Sequence, residues 1–195
     1  MSWWLRSRHA PLLAMGVLAE LALVVLLGGM LVPAPGLVQG SIGSVPATVL
    51  VPLVLNSVVQ LCLEGPDRRL ERTAVRHSTL MDVCVVGAAA VSLLAGAAAL
   101  SLLGTADALE TARNTLGYLG LGLVVMPLWG ARAGALLPAA YVVLLVNFAD
   151  GGTPGVLEWP IAASSSAGSW VSAAALYGAG VAALLLRDRL GREHV

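Results

Sequence analysis

Residues 12–32 read LLAMGVLAELALVVLLGGMLV, a long apolar run interrupted by one ionisable side chain, Glu20. A helix rises 1.5 Å per residue, so roughly 20 apolar residues cross a hydrocarbon core of about 30 Å. This run is long enough to do so. Arg6 and Arg8 precede it as they would in a secretory signal, but no small-residue cleavage site leads into a soluble domain, and the segment reads as a retained first span. Five further stretches have the same character, at about 46–63, 79–103, 115–130, 133–149 and 168–186. The fourth and fifth are short, contain Pro127 and Pro138, and are separated by little more than Gly130, Ala131 and Arg132.

Composition points the same way. The chain of 195 residues is 58% hydrophobic and only 11% charged, with a mean hydropathy of +0.87, whereas a soluble domain has roughly a quarter of its residues charged. The expected fold is therefore all-α: a polytopic membrane helix bundle of about six spans occupying 1–195 as a single transmembrane domain. Its expected partner is membrane lipid. Zero formal net charge leaves no basic field to attract nucleic acid.

Arginine positions set the expected orientation, because flanking basic residues resist translocation. Arg6, Arg8, Arg68, Arg69, Arg72, Arg76, Arg132, Arg187, Arg189 and Arg192 fall on one side of a six-span arrangement, and Arg113 alone falls on the other. Both termini are therefore placed in the cytoplasm of a bacterial cell, the protein being multi-pass in its inner or plasma membrane. Residues 1–11, with Trp3 and Trp4 beside Arg6 and Arg8, read as an amphipathic surface segment. A charged cytoplasmic segment follows at 64–78. The outer connections are 32–45, a Pro- and Gly-rich tight loop or broken interfacial segment, and 150–167, a long loop in which Trp159 suits an interfacial anchor.

Ionisable groups at membrane depth cost roughly 3 kcal/mol on insertion scales, so they carry information. Glu20 lies about 12 Å along the first span from Leu12 by helix rise, and Asn56 is expected at a similar depth on the returning second span. Gln60 is one turn beyond Asn56 on the same face. Two readings stand side by side: an interhelical hydrogen bond that packs spans one and two, or a proton or substrate contact. Asp82 suits the first turn of the third span, where the helix dipole favours an anion. The pairs Gly130 and Gly134, Gly117 and Gly120, and Gly178 and Gly180 suit close helix packing.

Catalytic readings fail for want of residues. His9, His77 and His194 all lie outside the spans, which removes intramembrane Ser-His chemistry and bis-histidine haem binding. No catalytic or metal site is expected. Cys62 and Cys84 read as small apolar residues near cytoplasmic ends, where thiols stay reduced. The sequence contains no lysine, so it lacks the residue that holds nucleotide phosphates in a P-loop.

Six spans with cytoplasmic ends, an amphipathic start, a charged segment between spans two and three and a long outer segment before span six resemble the membrane subunit of a type-two ABC exporter. The run 111–117, TARNTLG, then Gly130-Ala131-Arg132, Leu137-Pro138, Tyr141 and Trp159-Pro160, resembles actinobacterial permease-like proteins over about the C-terminal half. The resemblance implies a permease that pairs with itself or a sister permease and is driven by a separate ATP-binding subunit. ATP would then be bound there and no cofactor in this chain. By the same resemblance, 66–77 is the coupling segment, and Arg68, Arg69, Arg72 and Arg76 face the ATPase. Two other function classes fit the residues: a non-transporting scaffold or accessory subunit, and a secondary carrier that uses Glu20 as a proton site.

Overall fold

The computed structural model describes residues 10–35, 42–64, 78–148 and 156–192. The tryptophan- and arginine-bearing start of the chain, and the segment that holds Arg68, Arg69, Arg72 and Arg76, lie outside the described residues. Among the described residues six long helices account for most of the chain. They are α1 (Ala10–Leu27), α2 (Ala47–Glu64), α3 (Ser78–Leu102), α4 (Asp107–Trp129), α5 (Ala131–Phe148) and α6 (Ala167–Arg192). Each coincides with one of the apolar stretches of the sequence.

The ends of these helices have local causes. Gly28 and Gly29, the latter at φ 75°, stop α1 although the apolar run continues to Val32. Beyond them the loop expected at 32–45 contains a small antiparallel ribbon, β1 (Leu31–Pro35) and β2 (Ile42–Pro46), with Leu31 opposite Pro46 and Pro35 opposite Ile42. Prolines are tolerated there because the two strands have no further neighbours to bond. In α2, Pro52 falls in the early turns, and Val51 keeps helical angles of −54° and −42°.

A single residue, Gly130, separates α4 from α5, and its φ of 88° is a conformation that side chains disfavour. α4 starts eight residues earlier than the hydropathy of 115–130 suggests. Asp107 and Glu110 occupy its first turn, where the helix dipole favours acidic side chains. Asp82, by contrast, falls past the first turn of α3, so the capping role expected for it does not apply.

α4 is the centre of the bundle. It touches α1, α2, α3, α5, α6 and the short 3-10 turn at Val156–Ile161, and every residue from 111 to 120 along it is buried. The core is predominantly apolar but encloses polar side chains, and apolar side chains also cover much of the surface. Glu20, Thr48, Asn56, Gln60, Thr111, Arg113, Asn114 and Thr115 are buried, while Leu18, Leu26, Leu61, Val91, Leu136 and Val171 are exposed. Ala47–Glu64, Thr79–Leu102 and Ala167–Leu186 are long and apolar enough to cross a membrane, and Pro11–Leu27 and Ala131–Asn147 are shorter apolar helices.

Glycines set the closest crossings. A Cβ on Gly120 would overlap the α6 backbone at Leu176, and one on Gly180 would lie 2.7 Å from the Gly120 carbonyl oxygen. Gly122 and Gly134 meet in the same way between α4 and α5, at 2.7 Å from the opposing carbonyl. Gly178 and Gly130 have open space around them and take no part in packing, as does Gly87. Neither helix pair can absorb a methyl group by rotating a side chain, because backbone is what it would strike. We therefore expect Gly120→Ala to lower the thermal stability of the purified protein by roughly 2 kcal/mol or more, and Gly178→Ala to leave it unchanged. Thermal unfolding of the two variants in one detergent measures the contrast.

Candidate functional site

Polar side chains collect along α4 in three tiers between the ribbon end of the bundle and the Gly130 end. At the ribbon end, Arg113 is fully buried. Its guanidinium donates to the carbonyl oxygen of Ala163 at 3.0 Å, to that of Pro160 at 3.2 Å, and to Asn114 Oδ1 at 3.1 and 3.2 Å. Asn114 completes the clamp, its Nδ2 donating to Pro160 O at 2.9 Å and to Thr48 O at 3.1 Å. Thr48 in turn donates to Glu110 Oε1 at 3.2 Å. Together α2, α4 and the connection before α6 are tied by these hydrogen bonds, buried at Pro160 and Asn114 and partly exposed at Ala163 and Glu110.

Trp159 is held by the same clamp. It is buried, where an interfacial headgroup anchor was expected, because Gly117 leaves a notch that its indole fills. The ring stacks on Tyr141 with centroids 6.4 Å apart and meets Tyr118 edge-on at 5.6 Å. Arg113 likewise is no exposed charge on the far side of the bundle. It is an internal hydrogen-bond donor that fastens 160–163 down.

The middle tier is Glu20. Its carboxyl reaches Thr115 Oγ1 on α4, and Thr115 Oγ1 also lies 2.9 Å from the carbonyl oxygen of Thr111. Glu20 is completely buried, and its second oxygen, Oε2, has no hydrogen-bond partner among the described residues. The bond expected between Glu20 and Asn56 does not form. α1 turns Glu20 toward α4, whereas α2 turns Asn56 toward α5, so the two amphipathic faces diverge.

The tier nearest Gly130 holds the other two expected residues together. Asn56 Nδ2 donates weakly to Gly134 O at 3.4 Å. Gln60 is wedged where α4 crosses α5, its amide against Gly122 and Gly134. Both are fully buried, and Asn56 Oδ1, Gln60 Oε1 and Gln60 Nε2 have no hydrogen-bond partner among the described residues. Buried amides are ordinarily satisfied, so this cluster is a place of unmet hydrogen bonding. A groove of about 310 Å³ opens beside it between α2 and α5.

Other side chains are local. Asn147 donates to Val143 O of its own helix at 2.8 Å. Cys62 is buried and Cys84 exposed, and no disulfide joins them. The four arginines at 68, 69, 72 and 76 lie outside the described residues. No group of His, Cys, Asp and Glu that could hold a metal ion occurs among the described residues. Comparison with protein-family models, curated proteins and solved structures returns no match.

Sequence reasoning missed Arg113, Asn114 and Thr115 as interior residues. The signal was present, since three consecutive polar residues inside a continuous helix point in three directions 100° apart. Only a helix covered over more than half of its circumference can bury all three. The clamp yields a test. Arg113→Met removes the guanidinium donors of Asn114 Oδ1 and of the Ala163 carbonyl, while the Pro160 carbonyl keeps its bond from Asn114 Nδ2, at about 1–3 kcal/mol for a buried group left unpaired. With the other tryptophans replaced by phenylalanine, Trp159 emission shifts to the red and becomes accessible to quenchers. Gly117→Val has the same spectral effect by filling the notch.

Proposed function

We propose that this chain is a multi-pass protein of the bacterial cell membrane with both termini in the cytoplasm. Its role in this reading is that of the membrane-spanning permease subunit of an ATP-driven, ABC-type exporter. The observation that carries the reading is the polar interior. Glu20, Asn56 and Gln60 sit at the heart of an apolar-coated bundle with polar atoms left unpaired, as suits groups that exchange partners with a passing solute. Burial of Arg113 also supports the orientation, since the one arginine on the outer side becomes an internal ligand and drops out of the count of flanking charges.

ATP hydrolysis belongs in this reading to a separate subunit, because the chain has no lysine for a P-loop. That subunit docks on the segment bearing Arg68, Arg69, Arg72 and Arg76, and two permease copies, or this chain and a sister permease, form the pathway. Substrate contact falls to Glu20, Asn56 and Gln60. Copurification from the native host tests the partner: recovery of a nucleotide-binding chain is expected, and its absence across several mild detergents would sink the proposal.

A second reading, a proton-coupled secondary carrier, is favoured by one observation, the unpartnered Oε2 of Glu20. Glu20→Gln and Asn56→Ala separate pathway roles from packing. Gln retains an amide able to bond Thr115 Oγ1, so the first variant is expected to fold and to lose transport by at least about tenfold. Uptake and efflux in sealed vesicles, with ATP supplied or with a proton gradient alone, decide the energy source. Wild-type transport by both variants would move the residues to a purely structural role and leave the scaffold reading.

A further inference from the structure

The groove between α2 and α5 has a chemistry that the transport reading does not use. Ser57, Gln60, Leu61 and Glu64 recur along one face of α2 at helical spacing and form one wall. Arg132 and Leu136 stand on the facing wall of α5. At the floor is the Gln60 amide, fully buried with both polar atoms unpartnered among the described residues. At the mouth, where α2 ends and α5 begins, the charged residues among the described ones are Glu64 and Arg132, which edge an otherwise apolar lining. Leu61 is 59% exposed and Leu136 67% exposed, so the flanks of the groove are open and apolar.

A ligand that fits must carry an anion for Arg132, a hydrogen-bonding cation for Glu64, and apolar chains to lie along Leu61 and Leu136. Arginine presents a planar fork of N–H groups suited to a phosphate, and a carboxylate accepts N–H bonds from a primary ammonium. The two charges lie at the ends of apolar helices, the level at which lipid headgroups sit. We infer that this groove is a binding site for an aminophospholipid, with the phosphate of a phosphatidylethanolamine headgroup on Arg132 and its ammonium on Glu64. A phosphatidylcholine headgroup has the same charges but no N–H to donate, so it satisfies Arg132 and leaves Glu64 unbonded. The site rests on the membrane reading and is independent of what the bundle transports.

The full chain in nanodiscs of phosphatidylcholine, with and without a minority of phosphatidylethanolamine, provides the test. Stable incorporation in both lipids tests the membrane reading by itself, whatever the outcome for the site. Phosphatidylethanolamine is expected to raise the unfolding temperature and to remain bound through native mass spectrometry in preference to phosphatidylcholine. Glu64→Gln abolishes that preference while leaving binding of both lipids. Arg132→Gln weakens both, and Arg132→Lys restores a part. An equal response of wild type to the two lipids, or a phosphatidylethanolamine preference that survives Glu64→Gln, overturns the assignment. Should Arg132→Gln fail to fold, the wild-type comparison and Glu64→Gln still decide.

Discussion

Ten consecutive residues of α4, from 111 to 120, are all buried, so their polar side chains must look to protein for partners; Arg113, Asn114 and Thr115 find them, and the Tyr118 hydroxyl has none among the described residues. That constraint organises the bundle. α2 supplies the Thr48 carbonyl, α1 supplies Glu20, and the turn before α6 supplies the carbonyls of Pro160 and Ala163. Remove the central helix and each of these groups is stranded in an apolar surrounding, where an unpaired polar group costs several kcal/mol at most and about 1 at least. The outer helices can accordingly be nearly featureless. Their outward faces carry leucine and valine, and their specificity comes from what they hand to α4.

Close approach is the second requirement, and glycine meets it. α4 crosses α6 at Gly120 and Gly180 and crosses α5 at Gly122 and Gly134, with backbone against backbone. Where lipid removes the hydrophobic drive between helices, such contacts supply dispersion and tight packing. The same crossing creates the polar defect near Gly130, since two glycines leave room for the Gln60 amide but offer it no hydrogen bond of good geometry. Packing and polar cluster are thus one feature: the small residues that bring α4 and α5 together also enclose an amide without partners among the described residues.

The two ends of the bundle differ in character. At the ribbon end a guanidinium and an asparagine bond the Pro160 and Ala163 carbonyls, and a filled aromatic notch helps to fasten the connection to α6. Toward Gly130 the Gln60 amide and Asn56 Oδ1 have no partner among the described residues, and a groove lies open between helices. The less satisfied end lies beside Glu64, the last described residue before the arginine-rich segment.

The number of helices and their approximate limits were legible in the residues, because hydropathy is summed along the chain and needs no partner. Residues 46–63 and 79–103 reappear as α2 and α3 within a residue or two, and Glu20, Asn56 and Gln60 stand out by their cost in an apolar run. Tertiary structure alone decided which helix is central, that Glu20 meets Thr115 rather than Asn56, and that Trp159 and Arg113 turn inward. Those outcomes depend on the rotation of each helix about its own axis relative to its neighbours. Sequence spacing specifies a face, but the crossings at Gly120, Gly122, Gly134 and Gly180 choose what that face meets.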